Sequence, residues 1–220
     1  FQLKNSPRRV KTVIYDGRRR FEANEALDGK KQQHKKTIDL LFAGNIGKAQ
    51  CVHVILQAAE VLRDYPQLRW HVVGDGSEFK KIQALAEQMK LDNVLFYGRR
   101  PQEEMSRFFA KADAMLLTLT ADEAISRTLP GKVQSYMAAG KPILAAANGE
   151  TASVIEKSKC GFCAQAEDAE GLAEVVKKFL KYENKEQLGQ NALQFYERHF
   201  TRDRFMDNLE TVLREACDSE

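Results

Sequence analysis

The residues best suited to chemistry lie in Leu129-Pro130-Gly131-Lys132-Val133-Gln134-Ser135-Tyr136-Met137-Ala138-Ala139-Gly140-Lys141-Pro142. A Pro-Gly pair opens a short helix pattern carried by Val133, Tyr136 and Met137. Gly140 stops it, and Pro142 leads into an extended apolar run, Ile143 to Ala147. A helix start after a glycine-containing loop offers free backbone N–H groups and the positive end of the helix dipole, which suits a phosphate. A cation in that first turn is unfavourable to the helix itself, so Lys132 makes most sense with an anion beside it. Loop, helix and strand in this order are also ordinary α/β punctuation, so the segment needs its context.

The context is a regular alternation. Apolar runs at Ile38 to Phe42, Leu68 to Val73, Val94 to Tyr97, Ala114 to Leu119, Ile143 to Ala147 and Phe162 to Ala164 read as short strands. Between them, helical spacing appears at Val52/Ile55/Leu56/Ala59/Leu62, at Ile82/Leu85/Ala86/Met89, over Gln102 to Lys111, in the featured helix and over Ala152 to Glu156. Leu172/Val175/Val176/Phe179/Leu180 and the remainder of the chain follow as helix. Short, nearly all-apolar strands separated by helices predict a doubly wound, Rossmann-like parallel sheet of about six strands with helices on both faces. In such a sheet ligands bind at the carboxyl ends of the strands. Gly44, Gly47, Gly74, Gly76 and Gly98 follow three successive strand ends, and Gly131 opens the helix after the fourth. Asn45, Lys48, Asp75, Arg99, Arg100 and Lys132 accompany them, a setting for an anionic ligand.

Composition narrows the function classes. The chain has 220 residues and a formal net charge of +3, with both signs spread along it, so it lacks a nucleic-acid footprint. Residues 1–36 are the exception, with Arg8, Arg9, Arg18, Arg19, Arg20, Lys30, Lys31, Lys35 and Lys36. They read as a solvated lead-in with one strand, Val10 to Tyr15. No apolar run approaches the ~20 residues of a membrane span. The first residue is Phe1, and the chain reads as part of a longer protein. Its four cysteines are Cys51, Cys160, Cys163 and Cys217. Cys160 and Cys163 have metal or redox spacing but no second pair, so structural thiols in a reducing compartment are expected.

Four segments together resemble the C-terminal, nucleotide-sugar-binding half of group 1 GT-B glycosyltransferases (family 4, retaining) of the bacterial surface-polysaccharide type. They are Phe42-Ala43-Gly44-Asn45-Ile46-Gly47-Lys48-Ala49-Gln50, Val72-Val73-Gly74-Asp75-Gly76, Val94-Leu95-Phe96-Tyr97-Gly98, and Leu129 to Pro142. The resemblance runs from about Val10 to the C-terminus. It implies a lead-in over 1–36, a donor domain over 37–200, and a final helix over 201–220 that crosses to an absent N-terminal acceptor domain. The implied donor is a nucleotide diphosphate-sugar, a UDP- or GDP-sugar, with no metal or other cofactor. The implied acceptor is a polysaccharide or lipid-linked glycan, and the implied place is the cytoplasm, with attachment to the inner membrane surface left open. Lys132, with the N–H groups of Val133 and Gln134, would meet the phosphates, and Lys48 is a second candidate cation. Gly98, Arg99 and Arg100 would lie along the base, with Gly74 and Asp75 on the same wall.

The sequence also departs from that family. Its two usual glutamates fall at Arg127 and Ser135, and Glu123 is the nearest replacement for the first. Ser135 would serve the ribose hydroxyls only weakly. The family's first-loop Arg and Lys fall at Asn45 and Gln50, with Cys51 at the following Gly. A non-catalytic nucleotide or nucleotide-sugar binding module of the same fold is therefore the alternative. A receiver domain lacks its acidic cluster here, and an NAD domain its Gly-x-Gly-x-x-Gly spacing.

Overall fold

The computed structural model describes residues 37–217. The expected strand Val10 to Tyr15 lies outside the described residues. Six strands form one parallel sheet: β1 (Ile38–Ala43), β2 (Leu68–Val73), β3 (Val94–Gly98), β4 (Ala114–Thr118), β5 (Ile143–Ala146) and β6 (Gly161–Ala164). Their order in space is β3-β2-β1-β4-β5-β6. The chain therefore reverses direction across the sheet between β1 and β4, the position at which doubly wound folds open a crevice.

The helices are α1 (Val52–Val61), α2 (Phe79–Gln88), α3 (Met105–Lys111), α4 (Glu123–Ser126), α5 (Gly131–Ala138), α6 (Gly149–Ser158), α7 (Ala169–Lys181), α8 (Lys185–His199) and α9 (Arg202–Cys217). One-turn 3-10 helices precede α1 and α3 at Lys48–Gln50 and Gln102–Glu104. The segment expected as one helix over Gln102 to Lys111 is thus a 3-10 turn followed by α3. The helix expected over Ala152 to Glu156 extends one turn earlier, because Asn148 and Gly149 form its entry.

Alternating strand residues feed two cores. On one face Leu40, Phe42, Trp70 and Val72 pack with Ile55, Ala59, Ile82, Val176 and Phe179 of α1, α2 and α7. On the other, Leu41, Ala43, Met115, Leu117 and Ala145 pack with Phe109, Tyr136, Met137, Ile155 and Tyr196 of α3, α5, α6 and α8. Side-chain caps fix several helix starts: Asp122 accepts from Ile125 N, Asp168 from Gly171 N and Asn184 from Gln187 N. Helix α9 packs little: Phe205, Met206 and Leu209 are 57%, 51% and 41% exposed. Among the described residues no helix is long and apolar enough to cross a membrane.

Candidate donor site

A cleft of about 700 Å³ opens at the carboxyl ends of β1, β2 and β3. Ala43, Gly44 and Asn45 line it after β1, Val73 to Gly76 after β2, and Arg99 and Arg100 after β3. Helix α5 closes it with Lys132, Ser135 and Tyr136, and α3 adds Met105 and Phe109. Residues from five parts of the sequence therefore meet at one end of the sheet. The β1 and β2 loops touch: a Cβ on Gly74, whose φ is +139°, would run into the Gly44 carbonyl. Only glycine allows that approach without strain.

Lys132 dominates the electrostatics. Its Nζ is shut off from solvent and has no hydrogen-bond acceptor among the described residues. It lies over the Phe42 ring, 4.2 Å from the centroid, and a Cβ at Gly44 would stand 3.2 Å from it. Burial lowers its pKa to about 8. A buried charge without a partner is costly, and the cleft beside it has room for an anion to supply the missing acceptors.

Tyr136 fixes the end of β1. Its buried hydroxyl donates to Ala43 O at 2.9 Å and accepts from Ala43 N at 3.0 Å. The hydroxyl therefore pairs both backbone groups of the residue before Gly44. In the sequence Tyr136 reads only as part of the apolar stripe; the available signal is that a buried tyrosine needs a partner for its hydroxyl. Met105 and Phe109 were missed because apolar helix residues do not distinguish core from cleft wall.

Other expected residues stand elsewhere. Lys48 is exposed in the 3-10 turn and does not line the cleft. Gly47 is buried, and its N–H donates to Gln50 Oε1, which also accepts from Asn45 Nδ2. Glu123 pairs with Arg127 on the outside of α4, so it does not reach the cleft as a replacement glutamate. Val133 is fully buried and its N–H donates to Pro130 O at 2.9 Å, so this amide is not free for phosphate. Gln134 is half-buried and outside the cleft lining. The first amides of α5, those of Gly131 and Lys132, are the ones without an acceptor in a preceding helical turn. Ser135 does line the cleft, with its Oγ turned back onto Gly131 O at 3.2 Å. Gly98, with φ +65°, ends β3 and turns the chain toward Arg99.

A second set of bonds holds the neighbouring loops. Thr120 Oγ1 and Ala121 N donate to Glu167 Oε1 at 2.7 and 3.2 Å. Cys51 Sγ donates to the same oxygen at 3.7 Å. Cys51 stands in the left-handed region at φ 42°, where the resemblance expects glycine. Burial pushes its thiol up to about 11. Cys160 and Cys163 are free thiols whose pKa values burial also raises, Cys160 to about 11, which fits inert thiols rather than a redox pair. Among the described residues no cluster of three or more His, Cys, Asp or Glu could hold a metal ion.

The model of the family described as glycosyl transferases group 1 matches residues 24–195. The chain belongs to this family. Among curated relatives, N-acetyl-alpha-D-glucosaminyl L-malate synthase of Bacillus anthracis is 27% identical over 175 residues, covering 79% of this chain and 44% of that protein. Amylovoran biosynthesis glycosyltransferase AmsK of Erwinia amylovora is 26% identical over 140 residues, covering 62% of this chain and 34% of that protein. Among solved structures, Anabaena HepE in complex with UDP and glucose superposes with a TM-score of 0.69 at 20% identity, over 81% of this chain and 48% of that one. The fold is thus the Rossmann-like half of a GT-B glycosyltransferase. The chain spans less than half the length of these relatives.

Proposed function

We propose that the cleft binds a nucleotide diphosphate-sugar and that the chain is the donor-binding half of a retaining glycosyltransferase. The acceptor is a polysaccharide or lipid-linked glycan, and the work takes place in the cytoplasm or at the inner membrane surface. The observation that carries this reading is the buried, unpartnered ammonium of Lys132 at the start of α5. In transfer, the bond between the sugar's anomeric carbon and the phosphate oxygen breaks, a bond forms from that carbon to an acceptor hydroxyl oxygen whose proton passes to the leaving phosphate, and negative charge grows on the departing diphosphate. Lys132 and the amide end of α5 stabilise that charge in a partly dry site. Asn45, Asp75, Arg99 and Arg100 supply polar groups to the remainder of the donor, and Met105 and Phe109 supply apolar wall. UDP is the first candidate, since HepE was crystallised with UDP, and GDP the second.

The same reading assigns 37–200 to the donor domain and 201–220 to a helix that leaves it. The exposed Phe205, Met206 and Leu209 of α9 would be covered by an N-terminal acceptor domain, consistent with the chain's share of its relatives' length.

One observation favours a second reading, a nucleotide-binding module without turnover. The family glutamate positions hold Arg127 and Ser135, and Glu123 faces Arg127 rather than the cleft. Calorimetric titration with UDP, GDP, ADP and dTDP, each against its monophosphate, tests the shared claim. Preference for one diphosphate over its monophosphate is expected; absence of binding to all four overturns it. Sugar transfer from the matching donor by the longer parent protein then separates enzyme from module.

A further inference from the structure

The strands that end at the cleft also carry a polar chain that runs from Asp39 near the start of β1 to Tyr97 near the end of β3. Asp39 of β1 is 7% exposed. It accepts from Arg69 Nε at 2.9 Å and lies 3.1 Å from His71 Nε2. A carboxylate only accepts, so Nε2 carries the hydrogen, and His71 Nδ1 shares a hydrogen bond with the Tyr97 hydroxyl at 2.7 Å. The Tyr97 ring also stacks on His71, with centroids 5.7 Å apart, and meets the edge of Phe108 in α3 at 5.0 Å.

Tyr97 occupies a special place in the sheet. Val72 pairs with Phe96 and Val73 with Gly98, so Tyr97 is an extra residue in β3 and forms a bulge. A bulged residue has no ladder partner and bends the strand beyond it. Here the Tyr97 carbonyl accepts from Arg100 Nε at 3.0 Å, and Gly98 O accepts from Gly74 N at 2.9 Å. Arg99, Arg100 and Gly74 all line the cleft. The side chain that holds the bulge is therefore tied to His71 and Asp39, while its backbone is tied to an arginine of the site.

We propose that Tyr97, anchored through His71 on Asp39, is a positioning residue for the donor cleft: it holds the β3 bulge that sets Arg99 and Arg100 against the ligand. This inference rests on the reading of the cleft as a nucleoside diphosphate site. Tyr97→Phe is the informative change, because it keeps the ring contacts and removes only the hydroxyl bond. It should weaken binding of the preferred diphosphate among UDP, GDP, ADP and dTDP by about three- to tenfold, the worth of one hydrogen bond. In a background carrying both Arg99→Ala and Arg100→Ala the same change should alter affinity by less than about twofold, because the groups it acts through are gone. A merely structural role would lower affinity equally in both backgrounds. Equal losses, or no loss in either, overturn the proposal.

Amide hydrogen exchange provides a readout without ligand. In Tyr97→Phe the Gly74 amide, which donates to the bulged strand, should exchange faster while β1 amides are unchanged. Unaltered exchange at Gly74 overturns the anchor even where no nucleotide binds. If the wild-type chain binds none of the four diphosphates but Gly74 exchange responds, the reading of the cleft fails and the anchor stands.

Discussion

Two charged clusters share the strands β1 and β2, and they are built on opposite rules. Around Asp39, Arg69 and His71 face one carboxylate, and the remaining ring nitrogen of His71 meets Tyr97. At the carboxyl end, the Nζ of Lys132 is also shut off from solvent but has no hydrogen-bond acceptor among the described residues. The first cluster is a closed network, which holds backbone in place. The second leaves one charge unanswered, which costs stability in the empty protein and creates affinity for an anion. The contrast separates structural from binding electrostatics within one sheet.

The largest effect that should separate the two clusters is on ligand affinity. Lys132→Met should weaken diphosphate binding by about 1.5–3 kcal/mol, the worth of a charged hydrogen bond, read by calorimetric titration. Asp39→Ala should act mainly on stability, with no more than the roughly three- to tenfold loss of affinity expected of Tyr97→Phe. It should cost about 2 kcal/mol in denaturant unfolding, since it removes the carboxylate that both His71 and the partly exposed Arg69 face. A loss of diphosphate affinity in Asp39→Ala as large as that in Lys132→Met would erase the distinction.

The pH dependence sharpens it further. Burial lowers the Lys132 pKa to about 8 from 10.5. Diphosphate binding favours the charged ammonium, so affinity should hold below about pH 8 and fall by up to about tenfold per unit above it. Titrations at pH 7 and pH 9 measure this, and the slope should vanish in Lys132→Met. The same shift acts on stability with the opposite sense. The unfolded lysine keeps its proton to higher pH, so the folded chain gains stability as pH rises from about 8 toward 10.5, and that gain is absent below about 8. The smallest effect is expected at Ser135→Ala. Its Oγ is already bonded back to Gly131 O, so affinity should change by less than about threefold.

Much of this was legible in the sequence, for reasons that differ by region. Leu68 to Val73 was readable to its ends, because Leu68, Trp70, Val72 and Val73 carry a strand pattern through Arg69 and His71 and Gly74 closes it. Lys132 stood out because a cation is out of place in a helix's first turn. The Asp39–His71–Tyr97 chain was not legible. It depends on strand register and on the bulge that makes Tyr97 an extra residue, and neither leaves a local signal. Helix α4 was missed because a single turn capped by Asp122 has no periodicity to read. Lys48 was drawn to the cleft by its nearness in sequence to Gly44 and Asn45, and Glu123 by its nearness to the position where the resemblance expects a glutamate. Instead Lys48 is exposed in a 3-10 turn, and Glu123 pairs with Arg127.

The most direct test is the unfolding free energy of wild type and Lys132→Met at pH 7, each with and without saturating UDP. If Lys132 is an unanswered charge awaiting a phosphate, the substitution should stabilise the empty chain by about 2 kcal/mol. It should also remove most of the extra stability that UDP gives the wild type. A Lys132→Met chain that is less stable when empty, or one that UDP stabilises as much as wild type, would contradict the account.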